Sequence, residues 1–201
     1  MSGRIVILNG TPRAGKSSIA EAVVARLPGR WVSIGVDRMN AALPKDLLPG
    51  IGLRPGGERP DLEPAVVRLY GELYGEIAER AGAGEDVVVD VGHHDWYSRP
   101  LGILAASARR LHGLPVLFVG VRCPIEVIMA RRNADAQGGF YVGGDGVPEP
   151  VQRWQQAVHQ PGIYDLEVDS SVMTPQQSAE AIAAALAAPP RPSAFERLAQ
   201  G

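Results

Sequence analysis

The pattern Gly-x-x-x-x-Gly-Lys-Ser occupies residues 10–17, directly after an apolar run and directly before a helical pattern. The apolar run is Ile5–Asn9 and the helical pattern covers residues 18–27. Glycines at both ends of such a loop let backbone N–H groups turn inward around phosphate oxygens, and the following helix directs its positive dipole end there. The segment therefore predicts a strand, a phosphate-binding loop and a helix in succession, and with them the binding of a nucleoside triphosphate.

Two side chains of this loop have a chemical part in that prediction. Lys16 supplies a mobile cation for the β- and γ-phosphates, and the hydroxyl of Ser17 can bind Mg²⁺. The residues expected to contact the nucleotide are Gly10, Thr11, Pro12, Arg13, Ala14, Gly15, Lys16, Ser17 and Ser18.

Four further β-branched runs predict the other strands, because continuous apolar runs are typical of strands buried on both faces. They cover residues 31–36, 86–91, 115–121 and 164–169. Helical patterns lie between them over residues 63–81, 101–111, 124–133, 148–158 and 175–188. The alternation predicts a single α/β domain, residues 1–188, in which helices cover both faces of a parallel sheet.

Three segments depart from this alternation. Residues 48–60 are rich in Gly, Pro and Arg and are expected to form a loop beside the site. Residues 137–150 contain five glycines and belong to a lid-like segment expected over about 131–155. Residues 189–201 contain three prolines and little apolar surface, which predicts a flexible C-terminal tail.

Two aspartates follow predicted strands, at the edge of a parallel sheet where ligands bind. Asp90 lies at the end of the third strand, where it is interpreted as a metal-binding carboxylate or as a cap of the next loop. Asp37 ends the second strand, and it can accept the proton of a hydroxyl that attacks a phosphoryl group. A helix N-cap is the alternative interpretation of Asp37.

Other polar residues are candidates for contacting the phosphates or a second substrate. Arg131 is interpreted as a cation that closes over the transferred phosphoryl group, or as a helix end that complements the helix dipole. Arg132 and Arg153 are further candidates for contacting the phosphates. His94, Trp96 and Tyr97 are expected to line the pocket of a second substrate. A zinc site at residues 93–95 is not favoured, because no second His/Cys cluster complements them.

Composition limits the partners and the compartment. A net charge of −2 argues against nucleic acid as a partner, because binding to the phosphate backbone needs a basic surface. No apolar run approaches 18 residues, no signal peptide is evident and Cys123 is the only cysteine. The expectation is a cytoplasmic protein without a membrane partner, and a homo-oligomer is compatible with it.

Six segments, taken together, form a recognisable set. They are residues 5–10 (IVILNG), 14–17 (AGKS), 35–37 (GVD), 119–123 (VGVRC), 158–159 (VH) and 164–170 (YDLEVDS). This set resembles the chloramphenicol phosphotransferase family. The resemblance implies a three-layer P-loop NTPase fold of nucleoside-monophosphate-kinase type, with a five-stranded parallel sheet in the order 2-3-1-4-5. It also implies ATP-dependent, Mg²⁺-assisted phosphorylation of a small hydroxylated molecule, with Asp37 as the base, Lys16 at the phosphates and Ser17 on the metal side.

The chain departs from the family where the phosphate acceptor would bind. Residues 133–139 contain no further arginine, and residues 38–63 and 90–96 read differently from the family. The resemblance therefore extends to the reaction and not to the acceptor. A metabolic kinase similar to shikimate or gluconate kinases remains an alternative, with Arg54, Arg59 and Arg99 as candidate anion-binding residues. A nucleotide-binding regulatory protein is the other alternative.

Overall fold

A computed structural model describes residues 2–134 and 146–201, and of Asp37 it describes the backbone alone. Five strands form one sheet in which every pair is parallel, in the order β2-β3-β1-β4-β5. The strands are β1 (Ile5–Asn9), β2 (Trp31–Gly35), β3 (Asp86–Val91), β4 (Val116–Arg122) and β5 (Leu166–Asp169). The predicted fold class and the strand order are confirmed.

Eight helices surround the sheet in the described ranges. They are α1 (Lys16–Arg26), α2 (Val36–Ala41), α3 (Glu63–Gly82), α4 (Ile103–Arg110), α5 (Ile125–Ala134), α6 (Glu149–Ala157), α7 (Pro175–Ala187) and α8 (Ala194–Leu198). Helices α3, α4 and α8 contribute to the core on one face, and α1, α5 and α7 to the core on the other. None of the helices in these ranges is long and apolar enough to cross a membrane.

The central strand β1 shows why the strands are continuously apolar. Ile5 and Ile7 point into the core on the α3 side, whereas Val6 and Leu8 point into the core on the α1 side. Successive side chains of a strand face opposite ways, so a sheet covered on both faces needs apolar residues at every position. All four side chains are fully buried. Strand β1 is therefore fixed between the α3 core and the α1 core, and the phosphate loop begins at its carboxyl end.

Strand β2 ends earlier than the sequence indicates. The predicted strand includes Val36, but β2 ends at Gly35 and helix α2 begins at Val36. Strand β2 lies at the edge of the sheet and pairs with β3 alone, and its last paired residue is Gly35. Beyond that pair no ladder holds the backbone, and a helix satisfies its N–H and C=O groups instead. Asp37 is therefore the second residue of a short helix rather than the end of a strand.

The expectation of a flexible tail is wrong for residues 193–198. Ser193 and Glu196 form a capping box that starts helix α8, with Ser193 N donating to the Glu196 carboxylate at 2.6 Å. Phe195, 4% exposed, packs against Phe118 and Tyr74, with ring centroids 5.1 and 6.4 Å away. The prolines before Ser193 suggested a tail without regular structure. The Ser-x-x-Glu spacing of a capping box, followed by apolar residues, is the sequence signal that could have predicted the helix.

An ion pair joins the starts of β1 and β3. Asp86 accepts hydrogen bonds from the backbone N of Arg4 at 2.8 Å and from its guanidinium at 3.0 and 2.6 Å. The Arg4 guanidinium holds the pKa of the Asp86 carboxyl below its usual value. A carboxyl with a depressed folded-state pKa contributes stability above its unfolded pKa, and that stability is lost as the pH falls through the folded pKa.

We expect the Asp86→Asn variant to lose about 1 kcal/mol of unfolding free energy at pH 7, because Arg4 is partly exposed and water screens the pair. The difference between variant and wild type is expected to shrink as the pH falls below about 4, where the carboxyl of the unfolded chain becomes protonated, and to vanish as the pH falls through the lower folded-state pKa. Urea unfolding at pH 7 and pH 3 measures both. Glu180→Gln, in a loose exposed pair, is the control. A difference that stays the same at both pH values would contradict the prediction.

Candidate active site

The phosphate loop leaves β1 at Asn9 and is held against the end of β3. Gly10 N donates to Val91 O at 3.3 Å, and Ala14 N donates to Thr11 O at 3.1 Å inside the loop. A Cβ at Gly10 would lie 2.6 Å from Val121 O, and Gly15 has a φ of +90°. A side chain would therefore collide at the first position and strain the backbone at the second. Both glycines are required by the path of the loop.

Lys16, Ser17 and Asp90 meet between the ends of β1 and β3. Ser17 Oγ donates to Asp90 Oδ2 at 2.6 Å, although 73 residues separate them in the chain. Lys16 Nζ donates to Thr11 O at 2.9 Å and lies 3.5 Å from Asp90 Oδ1. The structure thus brings together the lysine, the hydroxyl and the carboxylate that the sequence indicated.

The Ser17–Asp90 pair suits a hard divalent cation. Carboxylate and hydroxyl oxygens are the ligands that Mg²⁺ prefers, and here one of each lies at the start of helix α1. A cavity of about 210 Å³ opens beside them; its lining includes Glu21, Ser33 and Gly35. The residues therefore fit Mg²⁺, and Glu21 and Ser33 are polar neighbours that the sequence reading missed.

Arg131 lies against the phosphate loop and is held by backbone oxygens. Its guanidinium donates to Ser170 O at 2.6 Å, to Ser170 Oγ at 3.1 Å and to Arg13 O at 3.2 Å. Ser170 Oγ in turn donates to Ala14 O at 2.6 Å. These bonds tie the loop to the end of β5. Arg131 therefore supports the loop in this structure, and its closure over a phosphoryl group stays a prediction.

A second cavity lies on the other side of the loop. It has a volume of about 220 Å³, and its lining includes Gly15, Ser18, Arg131 and Ser170. Ser170 ends the segment 164–170, which the family resemblance singled out without a role. Its hydroxyl is the link between the loop and Arg131.

The backbone of Asp37 follows the edge strand beside Asp90. Gly35, two residues earlier, pairs with Asp90 in the register of β2 and β3. The side chain of Asp37 lies outside what the structure describes, so its role as a base stays a prediction.

His94, Trp96 and Tyr97 were predicted to line the pocket of a second substrate, and Trp96 has the most exposed side chain of the three. It is 36% exposed, and its indole N–H donates to Gln160 Oε1 at 3.1 Å. His94 Nε2 donates to Leu53 O at 2.9 Å, and His94 Nδ1 accepts from Trp96 N at 3.2 Å. Tyr97 is 8% exposed. His94 therefore holds the loop around Leu53 to the turn after β3, and neither of its ring nitrogens is left for an acceptor.

His93, the neighbour of His94, belongs to the core. Its Nε2 lies 2.7 Å from Tyr74 OH, its ring stacks on Tyr70, and burial lowers its pKa to about 3. No group of three or more metal-ligating side chains occurs within residues 2–134 and 146–201.

The loop predicted over residues 48–60 carries arginines that are paired with carboxylates. Arg59 contacts Asp61 at 2.7 Å, and Arg54 contacts Glu58 at 2.5 Å. Arg153 of helix α6, considered for the phosphates, instead bridges Glu58 at 2.6 Å and Glu149 at 2.5 Å. Residues 135–145 of the lid-like segment lie outside the described residues.

Proteins of known structure share this fold. The adenosine-phosphosulfate (APS) kinase of Mycobacterium tuberculosis, solved with AMPPNP and APS, is 18% identical and superimposes with a TM-score of 0.65, covering 93% of this chain and 99% of that one. The shikimate kinase of Acinetobacter baumannii, solved with shikimate, is 13% identical, with a TM-score of 0.58 and 90% of each chain covered. The tunicamycin resistance protein of Deinococcus radiodurans is 24% identical, with a TM-score of 0.57, covering 94% and 99%.

Sequence comparison identifies the family. A Mycobacterium tuberculosis protein named "Putative O-phosphotransferase" is 27% identical over 98% of this chain and 88% of its own length. The family model described as chloramphenicol phosphotransferase-like protein matches residues 3–187, which include the phosphate loop, Asp90, Arg131 and Ser170. With a kinase fold and a match over nearly its whole length, the chain belongs to the chloramphenicol phosphotransferase-like protein family.

Proposed function

We propose that this protein is an ATP-dependent O-phosphotransferase that moves the γ-phosphoryl group to a hydroxyl of a small molecule. The observation that carries the proposal is the meeting of Lys16, Ser17 and Asp90 at the ends of β1 and β3. A lysine beside a hydroxyl and a carboxylate, at the start of a helix, suits a triphosphate and its metal ion. The family match supports transfer rather than simple binding.

In the proposed reaction the acceptor oxygen forms a bond to the γ-phosphorus while the bond to the β,γ-bridging oxygen breaks. ADP leaves with that electron pair, and the hydroxyl proton passes to the carboxylate of Asp37. Lys16 and the loop amides position the phosphates, which supplies most of the catalysis in phosphoryl transfer. Mg²⁺, when bound by Ser17 and Asp90, neutralises phosphate charge.

The charges around the acceptor side favour an uncharged or weakly charged hydroxyl compound. Two arginines of this region, Arg59 and Arg153, contact Asp61 and Glu58, which offset their charge. A carboxylate substrate of the shikimate or gluconate type would have to displace these partners, at a cost in free energy. The partly exposed indole of Trp96 offers flat apolar surface instead. A hydroxylated antibiotic or a neutral metabolite therefore fits the proposal better than a polyanion.

The proposal is tested by measuring ADP release from Mg-ATP with single candidate acceptors. The panel consists of phenicol, aminoglycoside and nucleoside antibiotics, neutral sugars and polyols, and hydroxy acids. We expect ADP release to require a neutral hydroxyl compound, with mass spectrometry detecting its phosphate ester. Phosphorylation of hydroxy acids alone would favour the metabolic-kinase alternative. ATP hydrolysis that no acceptor stimulates would contradict transfer and favour the regulatory alternative. Lys16→Met is the inactive control.

A further inference from the structure

A chain of hydrogen bonds begins at Asn9, the residue directly before the phosphate loop. Asn9 is 1% exposed, and its Oδ1 accepts from the backbone N of His93 at 2.6 Å. This bond determines which way the amide faces, because an N–H cannot donate to Nδ2. The two hydrogens of Nδ2 then go to Val158 O and to the hydroxyl of Tyr164, both at 2.9 Å.

The hydroxyl of Tyr164 links the Asn9 amide to the imidazole of His159. Tyr164 Oη accepts from Asn9 and lies 2.8 Å from His159 Nδ1. Burial raises the pKa of Tyr164 to about 12, so its proton stays on the hydroxyl at neutral pH. The arrangement that gives the Tyr164 hydroxyl hydrogen and both Asn9 amide hydrogens a partner has Tyr164 O–H donating to His159 Nδ1. His159 then carries its own proton on Nε2.

His159 is a neutral group next to the residues that bond the Asn9 side chain. Burial, then Arg122 and more weakly Lys16, lower the pKa of His159 to about 4, while Glu167 opposes them. The carbonyl of Val158, the preceding residue, and the hydroxyl of Tyr164 both accept from Asn9 at 2.9 Å, so His159 lies at the edge of the sheet where the phosphate loop begins. Its Nε2 has no hydrogen-bond partner among the residues that the structure describes. The histidine therefore offers an oriented donor near the start of the phosphate loop.

We propose that His159 is a further catalytic residue, which donates its Nε2–H to an oxygen of the transferred phosphoryl group. Tyr164 and Asn9 act as positioning residues that select the donating tautomer. The inference rests on the proposed function, since it requires a triphosphate at Lys16. Negative charge on the oxygens of the transferred group is what an oriented donor stabilises in phosphoryl transfer. A donor selected in advance costs no reorientation when the nucleotide binds.

Calorimetric titration with Mg-AMPPNP and Mg-ADP tests the contact without any acceptor. We expect His159→Phe to weaken AMPPNP binding by roughly 10- to 100-fold, the range for a hydrogen bond to a charged group, and to leave ADP binding unchanged. His159→Gln, whose amide N–H reaches a similar place, is expected to recover most of the loss. His112→Gln, at the other end of the sheet, is the matched control.

Long-range ¹H–¹⁵N NMR of the imidazole tests the positioning. We expect the Nε2–H tautomer of His159 in the wild-type protein at pH 7, and a mixture of tautomers in Tyr164→Phe, with a weaker preference for AMPPNP over ADP. An Nδ1–H tautomer in the wild type would overturn the inference. So would His159→Phe or Tyr164→Phe with the wild-type ratio of AMPPNP to ADP affinity, and that result leaves the proposed function intact. A wild-type protein that binds neither nucleotide would overturn both.

Discussion

The Asp37→Asn variant is expected to lose acceptor phosphorylation by about two to four orders of magnitude, the usual contribution of a general base. An amide has nearly the shape of a carboxylate but cannot take up the hydroxyl proton. ATP binding is expected to stay close to wild type, because Lys16 bonds directly to Thr11 of the loop and Ser17 bonds directly to Asp90. Acceptor-dependent ADP release measures turnover, and calorimetric titration with Mg-AMPPNP measures binding.

Asp46→Asn is the matched control, because Asp46 is an exposed aspartate in the same connection between β2 and α3. It is expected to leave both turnover and nucleotide affinity unchanged. If Asp37→Asn turned over at the wild-type rate, Asp37 would not be the base. If it lost AMPPNP binding together with turnover, Asp37 would belong to the donor half of the site.

Truncation of Phe195 is expected to lower the free energy of unfolding more than the Asp86→Asn substitution does. Phe195→Ala removes a ring that lies between Phe118 of the sheet and Tyr74 of helix α3. The free energy of unfolding is expected to fall by about 3–5 kcal/mol, which combines the lost burial with the cavity left behind. Urea unfolding followed by circular dichroism measures the change.

Val172→Ala serves as the control, because that side chain is 78% exposed and its truncation is expected to cost little. A Phe195→Ala variant as stable as this control would mean that the C-terminal segment contributes nothing to the core. In that case the expectation of a flexible tail, derived from its prolines, would hold after all.

The phosphate loop of the candidate site was predictable because its signals are local. The apolar run of β1, the two glycines and the lysine lie within residues 5–17, and the backbone geometry that they impose needs few distant contacts. Asp90 was also predictable, since the ends of parallel strands meet at one edge of the sheet. These inferences rest on side-chain alternation and on backbone sterics, which a sequence carries directly.

Pairings between distant side chains could not be predicted in this way. Arg153 looked available for phosphates and instead pairs with Glu58, 95 residues away. His94 looked like a pocket residue, but both of its nitrogens hold loops together. Asn9 donates a hydrogen bond to Tyr164, 155 residues away, and no local sequence pattern predicts it. Which polar groups remain available to a substrate depends on such contacts.

The strands and the phosphate loop follow from residues close together in the chain, because periodicity and turn chemistry act over a few positions. The strand order was expected from the family resemblance alone. The end of β2 at Gly35, the packing of Phe195 and the tautomer of His159 follow from folding. Each of these depends on contacts between distant segments. Strand β2 lies at the edge only once the sheet has formed, the space that Phe195 fills exists only once the core has packed, and the Tyr164 hydroxyl finds its partner only in the folded chain. The phosphate loop of the candidate site thus follows from local signals, whereas the surroundings of the proposed acceptor depend on long-range contacts.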